Sequence, residues 1–191
     1  MSRKPMFYEA MLAYDNGDAR QALLLMEKCA GEGDPIACFT AALWYSGEAG
    51  VQANPLRKKQ WIARLEELAN EGNLEAQWEL GQQLRFGNVL VQSTQRANYW
   101  LECAAKGGYG EAQHHLAWFF ETGQYGYPLD PVSAADWYQR AFAQKNPETI
   151  YFFAMKQFKD GLPTDEAIRL LKMASDRGFK QADHVLTSYR H

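Results

Sequence analysis

His114 and His115 stand side by side, with Glu111 one helical turn before them, and form the most metal-like cluster in the chain. Adjacent helical residues point about 100° apart, so the two imidazoles do not share an ion. Glu111 and His115, four apart, face the same way and offer two ligands where zinc sites use three or four. Cys29, Cys38 and Cys103 are an odd set without C-x-x-C spacing, which argues against a zinc site or a disulfide framework and suits small buried hydrophobes. The chain has no Ser-x-x-Lys, no Gly-x-Ser-x-Gly, no Gly-rich phosphate loop and no His-Glu-x-x-His. Each of these places an activating base, a backbone cradle or a metal at a fixed offset from the reacting group. The carboxylate pairs Glu66-Glu67 and Asp165-Glu166 suit a solvated helix face or a helix start. The expectation is no catalytic residue, no cofactor and no metal.

The 191 residues, 47% hydrophobic and 14% aromatic, make one ordinary domain and exclude a disordered chain. Twenty basic residues against 23 acidic ones leave a net charge of −3, and neither half of the chain is basic. A nucleic-acid partner is therefore not expected. The longest apolar runs, such as Leu23-Leu24-Leu25-Met26, fall far short of the roughly 20 residues that cross a bilayer. Glu9 and Asp15 interrupt the only stretch where a signal peptide would need its apolar core. The expected setting is cytoplasmic, without a membrane partner.

A repeat organises the chain. Gly17, Gly47, Gly87, Gly123 and Gly161 form a grid. Eleven residues before them stand Met6, Ile36, Ala76, Ala112 and Ile150; seven before, Ala10, Thr40, Leu80, Leu116 and Ala154. Six before are Met11, Ala41, Gly81, Ala117 and Met155, and three before are Tyr14, Trp44, Leu84, Phe120 and Phe158. These columns share one helical face, and the glycine sits where a helix stops. A second grid, set by Gly33, Gly72, Gly108, Lys145 and Gly178, carries Cys29, Leu68, Ala104, Ala141 and Ala174 four residues before. Eleven before are Ala22, Trp61, Ala97, Ala134 and Ala167; eight before, Leu25, Arg64, Trp100, Trp137 and Leu170. Asp34-Pro35, Asn146-Pro147, Asn54-Pro55, Asp130-Pro131 and Thr164-Asp165 punctuate the helix starts. The spacing predicts helix pairs at 6–16/19–31, 36–46/56–70, 75–86/95–106, 111–122/132–144 and 148–160/165–177, with a cap near 180–190. No β signal competes. Five stacked pairs share one core that no pair builds alone, so residues 1–191 read as a single all-α solenoid domain.

The residues also carry a resemblance. Ala76-x3-Leu80-Gly81-x5-Gly87 and Ala112-x3-Leu116-Ala117-x5-Gly123 resemble the first helix of the Sel-one-like repeat, a relative of the tetratricopeptide repeat. Ala134-x2-Trp137-Tyr138-x2-Ala141 and Ala97-x2-Trp100-Leu101-x2-Ala104-Ala105 resemble its second helix, and Glu75-Ala76-Gln77 and Glu111-Ala112-Gln113 its junctions. The resemblance covers residues 5–190, sharpest over 74–145, and implies a right-handed solenoid of antiparallel pairs. It implies a bacterial protein-interaction scaffold or adaptor, with an immunity protein for a co-encoded toxic effector as the alternative and a hydrolase on a helical scaffold further behind. Cysteine-rich bacterial members bridge each helix pair. Cys29 and Cys38 stand near such positions, one residue out of register and in a single unit, which argues against a bridge.

Away from the packed columns, the first helices carry Tyr8, Tyr45, Trp78, Gln82, Arg85, His114, Trp118, Glu121, Phe152 and Lys156. In helix-pair solenoids the first helices line the concave surface, so this stripe is expected to form a groove for a protein or peptide. Aromatic anchors among orienting charges are the composition of interface hot spots. The competing reading is that Trp78, Trp118 and Phe152 pack between neighbouring first helices. Tyr125 and Tyr127, on a Gly/Pro-braced loop, either reach a partner or staple the turn. Trp44, Phe120, Phe158, Trp100 and Trp137 match the buried face and are expected to be structural.

Overall fold

Helix starts are set by short polar side chains. Asp18, Asp34, Asn54, Asn73, Asn146 and Thr164 each accept the backbone N–H three residues on, at 2.8–3.1 Å. Asp130 accepts from Val132 and Ser133. Each bond satisfies a donor that the first helical turn leaves open, and proline at the next position has no N–H to satisfy. A computed structural model describes residues 5–87, 89–159 and 161–189. In chain order its elements are α1 (Pro5–Asp15), α2 (Ala19–Gly31), α3 (Pro35–Trp44), α4 (Pro55–Asn70), α5 (Leu74–Phe86), α6 (Thr94–Lys106), α7 (Gly110–Thr122), α8 (Pro131–Ala143) and α9 (Pro147–Met155). Then come two-residue strands β1 (Phe158–Lys159) and β2 (Leu162–Pro163), followed by α10 (Asp165–Ser175) and α11 (Lys180–Ser188). The fold is all-α, of the α-solenoid class.

Most ends lie within one or two residues of the expected ones. The exception is α9, expected to continue to 160, which ends at Met155. The chain instead forms a minimal antiparallel ladder pairing Phe158 with Pro163 and Lys159 with Leu162. Gly161 adopts φ +78°, which suits a tight reversal, and Pro163 lacks the N–H a continuing helix requires. Residue 160, at the end of that expected helix, and residue 190, at the end of the expected cap, lie outside the described residues.

The chain divides into two compact units, Met1–Cys103 and Ala104–His191. In the first, α1 to α5 pack consecutively, and α3 also meets α5. Met26, Leu80, Leu84, Cys29 and Cys38 are sealed inside it. Alanines at 22, 30, 41, 69, 76 and 97 are no more than 1% exposed, so the helix backbones approach closely. Gly81 marks one such approach, because a Cβ there would sit 3.3 Å from the Ala97 carbonyl oxygen and 3.3 Å from the Leu101 nitrogen. In the second unit α7 packs on α8, α9 on α10 and α10 on α11. Leu116, Phe119, Thr149, Ile150 and Leu171 are fully buried there.

Two of the column residues depart from the expected buried face. Tyr14 and Met155, each in the last turn of its helix, are 41% and 38% exposed. Of the aromatics expected to be structural, Trp44 is buried, while Trp100, Phe120, Trp137 and Phe158 are half-buried. A further contact recurs between consecutive helices. Gln77 Nε2 donates to the Ala69 carbonyl and Gln113 Nε2 to the Ala105 carbonyl, both at 3.0 Å, so a buried side chain grips the last turn of the preceding helix. Cys38 Sγ contacts the matching Ala30 carbonyl at 3.6 Å. Cys29 and Cys38 are free thiols, and burial pushes the Cys38 thiol up to about 12, which keeps it protonated and inert.

Candidate protein-binding face

In the second unit the helical period gathers the stripe residues. On α7, His114, Trp118 and Glu121 follow one another at offsets of four and three. Phe152 on α9 and Lys156, which caps its C-terminus in a helical conformation, are four apart, so each set shares a face. Tyr138 on α8 fills the space between them. Its ring stacks on Phe152 with centroids 4.3 Å apart and planes 21° apart, and it meets His114 edge-on at 5.5 Å. Its hydroxyl donates to Glu121 Oε2 at 2.8 Å. Lys156 Nζ lies 4.1 Å from the Phe152 ring centre and 3.8 Å from Glu121 Oε1. Aromatic floor, acid and base are thus fixed relative to one another by contacts within the unit.

The polar atoms determine the state of His114. Asn146 Oδ1 accepts the Thr149 N–H at 2.8 Å, and this helix cap fixes which end of the amide is oxygen. The Thr149 hydroxyl is 2.9 Å from the same oxygen and therefore donates to it. His114 Nδ1 lies 2.9 Å from Thr149 Oγ1, whose own proton is engaged, so the ring carries its proton on Nδ1. Burial, and secondarily His115, lower the His114 pKa to about 4. The ring is neutral near pH 7, and the 3.8 Å separation of its Nε2 from Glu148 Oε2 is not an ion pair there. Burial and the bond to Glu121 raise the Tyr138 phenol well above its ordinary range. It stays a donor at all physiological pH values.

Trp118 is 36% exposed, so it stands at the surface rather than sealed between helices. Tyr125 is 38% exposed, with its ring 6.1 Å from Trp118 and 4.7 Å from the buried Phe119. It holds φ +55°, a left-handed conformation costing a non-glycine residue about 1–2 kcal/mol. Strain of this kind persists where the surroundings over-determine the residue, often at binding sites. Tyr127 is half-buried, stacked on Phe119 at 5.6 Å and edge-on to Phe120 at 5.1 Å. The two loop tyrosines therefore divide: Tyr127 staples the turn, and Tyr125 presents a ring beside Trp118.

The first unit treats its share of the stripe differently. Tyr8 is 57% exposed, and Trp78 and Gln82 are half-buried. Tyr45 and Arg85, expected on the open stripe, are buried. Tyr45 caps α3 and turns its hydroxyl inward to Glu27 Oε1 at 2.9 Å, while Arg85 reaches Asn98 Oδ1 at 3.5 Å. Both lie two residues before a glycine of the first grid, and each turns toward a neighbouring helix, Tyr45 toward α2 and Arg85 toward α6. Glu27 is the residue that sequence reasoning missed: it also accepts the Trp61 indole N–H at 3.3 Å, and Arg57 lies 3.9 Å away. Nothing in its spacing marks it, because its partners come from the end of α3 and from α4.

His115 Nδ1 donates to the Glu111 carbonyl at 3.1 Å, which turns that ring nitrogen to the backbone rather than toward an ion. Among the described residues, no group of three or more His, Cys, Asp or Glu is placed to hold a metal. No described helix is long and apolar enough to cross a membrane.

Residues 74–109, 110–146 and 160–179 match the Sel1 repeat. The chain is a Sel1 repeat protein. The crystal structure of a Sel1 repeat protein from Oxalobacter formigenes is similar over 67% of this chain and 98% of that one, at 29% identity and a TM-score of 0.55. Protein c5321, a protective antigen present in uropathogenic Escherichia coli strains and displaying an SLR fold, is similar over 92% of this chain at 24% identity and a TM-score of 0.56. This chain covers 39% of c5321, and that likeness concerns the fold alone. Sel1 repeat proteins are in general protein-interaction scaffolds and typically not enzymes. Trp78, His114 and Trp118 lie inside the matched repeats.

Proposed function

We propose that this Sel1 repeat protein is a non-enzymatic scaffold that captures a polypeptide partner on the α7 and α9 face of its second unit. Trp118 and Tyr125 are the anchors, and Glu121 and Lys156 orient the partner. The observation that carries the reading is the exposed Trp118–Tyr125 pair resting on a fully buried Phe119. Two large amphipathic rings held rigid before binding lose little entropy on contact, and buried aromatic anchors are worth about 2 kcal/mol or more each. Tyr8, Trp78 and Gln82 offer similar chemistry in the first unit by itself.

The test combines Trp118→Ala with Tyr125→Gly, glycine being suited to the left-handed backbone at that position. The variant is expected to keep its far-UV helicity and to lose at least about tenfold in partner capture from native extract. A folded variant that captures the same partner at the wild-type level would remove the claim.

A further inference from the structure

The second helices of the first unit carry a surface that the α7 and α9 face does not use. On α2, Arg20, Leu24, Glu27 and Lys28 fall at offsets of four, seven and eight, on one side of the helix. Leu24 is 62% exposed and forms a ridge between two recesses. One, of about 360 Å³, has Leu23 and Arg20 in its wall. The other, of about 520 Å³, is lined by Leu25, Lys28 and, from α4, Arg57 and Trp61. Glu27 borders both recesses.

The charges here are not equivalent. Glu27 Oε1 takes the Tyr45 hydroxyl and the Trp61 N–H, with Arg57 beside it. Asp18 caps α2 through the Gln21 N–H, next to the positive end of the helix. Both acids at the recesses are therefore engaged within the unit. Arg20 and Lys28, both exposed, make no ion pair among the described residues. A protein of net charge −3 thus presents here an apolar ridge between two uncommitted cations, whose Cα atoms are about 12 Å apart along the helix.

We infer that this face of α2 and α4 docks an acidic amphipathic helix of a partner polypeptide. An apolar side chain of that helix enters the recess between Leu24 and Trp61, and carboxylates one turn to either side pair with Arg20 and Lys28. Charge complementarity selects an acidic partner, and the apolar ridge selects one with a hydrophobic stripe. Two free cations are too few for a nucleic-acid or lipid surface, where many phosphates must be neutralised.

The probe is a labelled synthetic helix repeating Glu-x-x-x-Leu-x-x-x-Glu, titrated against the full chain by fluorescence anisotropy. Binding is expected to weaken about tenfold or more in the double variant Arg20→Glu, Lys28→Glu, and also in Leu24→Asp. A probe with Lys in place of Glu is expected to recover affinity on the double variant. These substitutions sit at exposed positions, and circular dichroism confirms that the variants fold. Trp118→Ala is expected to bind the acidic probe like wild type, so failure here is distinguishable from failure of the α7 and α9 face. No binding of the acidic probe to the wild-type chain, or equal binding to the double variant, would overturn the inference. Tighter binding of phosphatidylserine vesicles or a single-stranded oligonucleotide, with the same dependence on Arg20 and Lys28, would overturn it as well.

Discussion

His114 takes up a proton near its ordinary 6.5 in the unfolded chain, while burial and His115 hold it to about 4 in the native one. A lowered folded-state pKa means that the neutral form is stabilised by folding. That stability is fully present above about pH 6.5 and is lost as pH falls toward 4, because only the unfolded state binds the proton in that window. Glu148 Oε2 at 3.8 Å, the Tyr138 ring and His115 are the groups facing the imidazole. Between pH 7 and pH 5 the native state is expected to lose on the order of 2 kcal/mol from this ring. Urea denaturation at the two pH values checks it: His114→Gln should flatten much of the slope, and an unchanged slope would assign the loss elsewhere. The sequence placed His114 on the open stripe, yet its side chain is only 16% exposed. The helical period identifies which residues share a face, but not that Tyr138 and Thr149 arrive from α8 and α9 to cover this one.

Close approach of α5 and α6 rests on a missing Cβ. At Gly81 an added methyl would meet backbone atoms of Ala97 and Leu101 at 3.3 Å, and backbone gives way less readily than a flexible side chain. Gly81→Ala is therefore expected to destabilise the protein by about 1–3 kcal/mol, despite alanine's better helix propensity, as a lowered denaturation midpoint. A raised midpoint would mean that the two helices have room to spare. Gly81 was legible as part of a packed column, and the glycine grid located the helix pairs because residues that must touch recur at the same offsets. Asp34, Asn54, Asp130, Asn146 and Thr164 were readable as caps before or beside a proline or acid. Asp18 and Asn73 cap α2 and α5 without a following proline and escaped notice. The early end of α9 was also signalled, since Asp160-Gly161 is a dipeptide of the hairpin-turn class. The apolar helical period ran across it and hid the break.

At the scale of the molecule, the repeat identifies the fold class because its signal is summed over many columns, whereas a partner is recognised by a few exposed side chains whose accessibility depends on packing. Of the stripe, Tyr8 and Trp118 stand at the surface, while Tyr45 and Arg85 turn inward, a division set by the neighbouring helix each side chain meets, α2 for Tyr45 and α6 for Arg85, rather than by residue type. The central claim is that Trp118 lies where a polypeptide docks. Its most direct test is a photo-crosslinking residue placed at position 118 and, as a control, at position 169, where Arg169 is exposed on α10 with its side chain 76% accessible. After irradiation in the native cell, position 118 is predicted to yield one defined polypeptide adduct and position 169 none. The same adducts from both positions, or none from 118 with the protein folded, would contradict it.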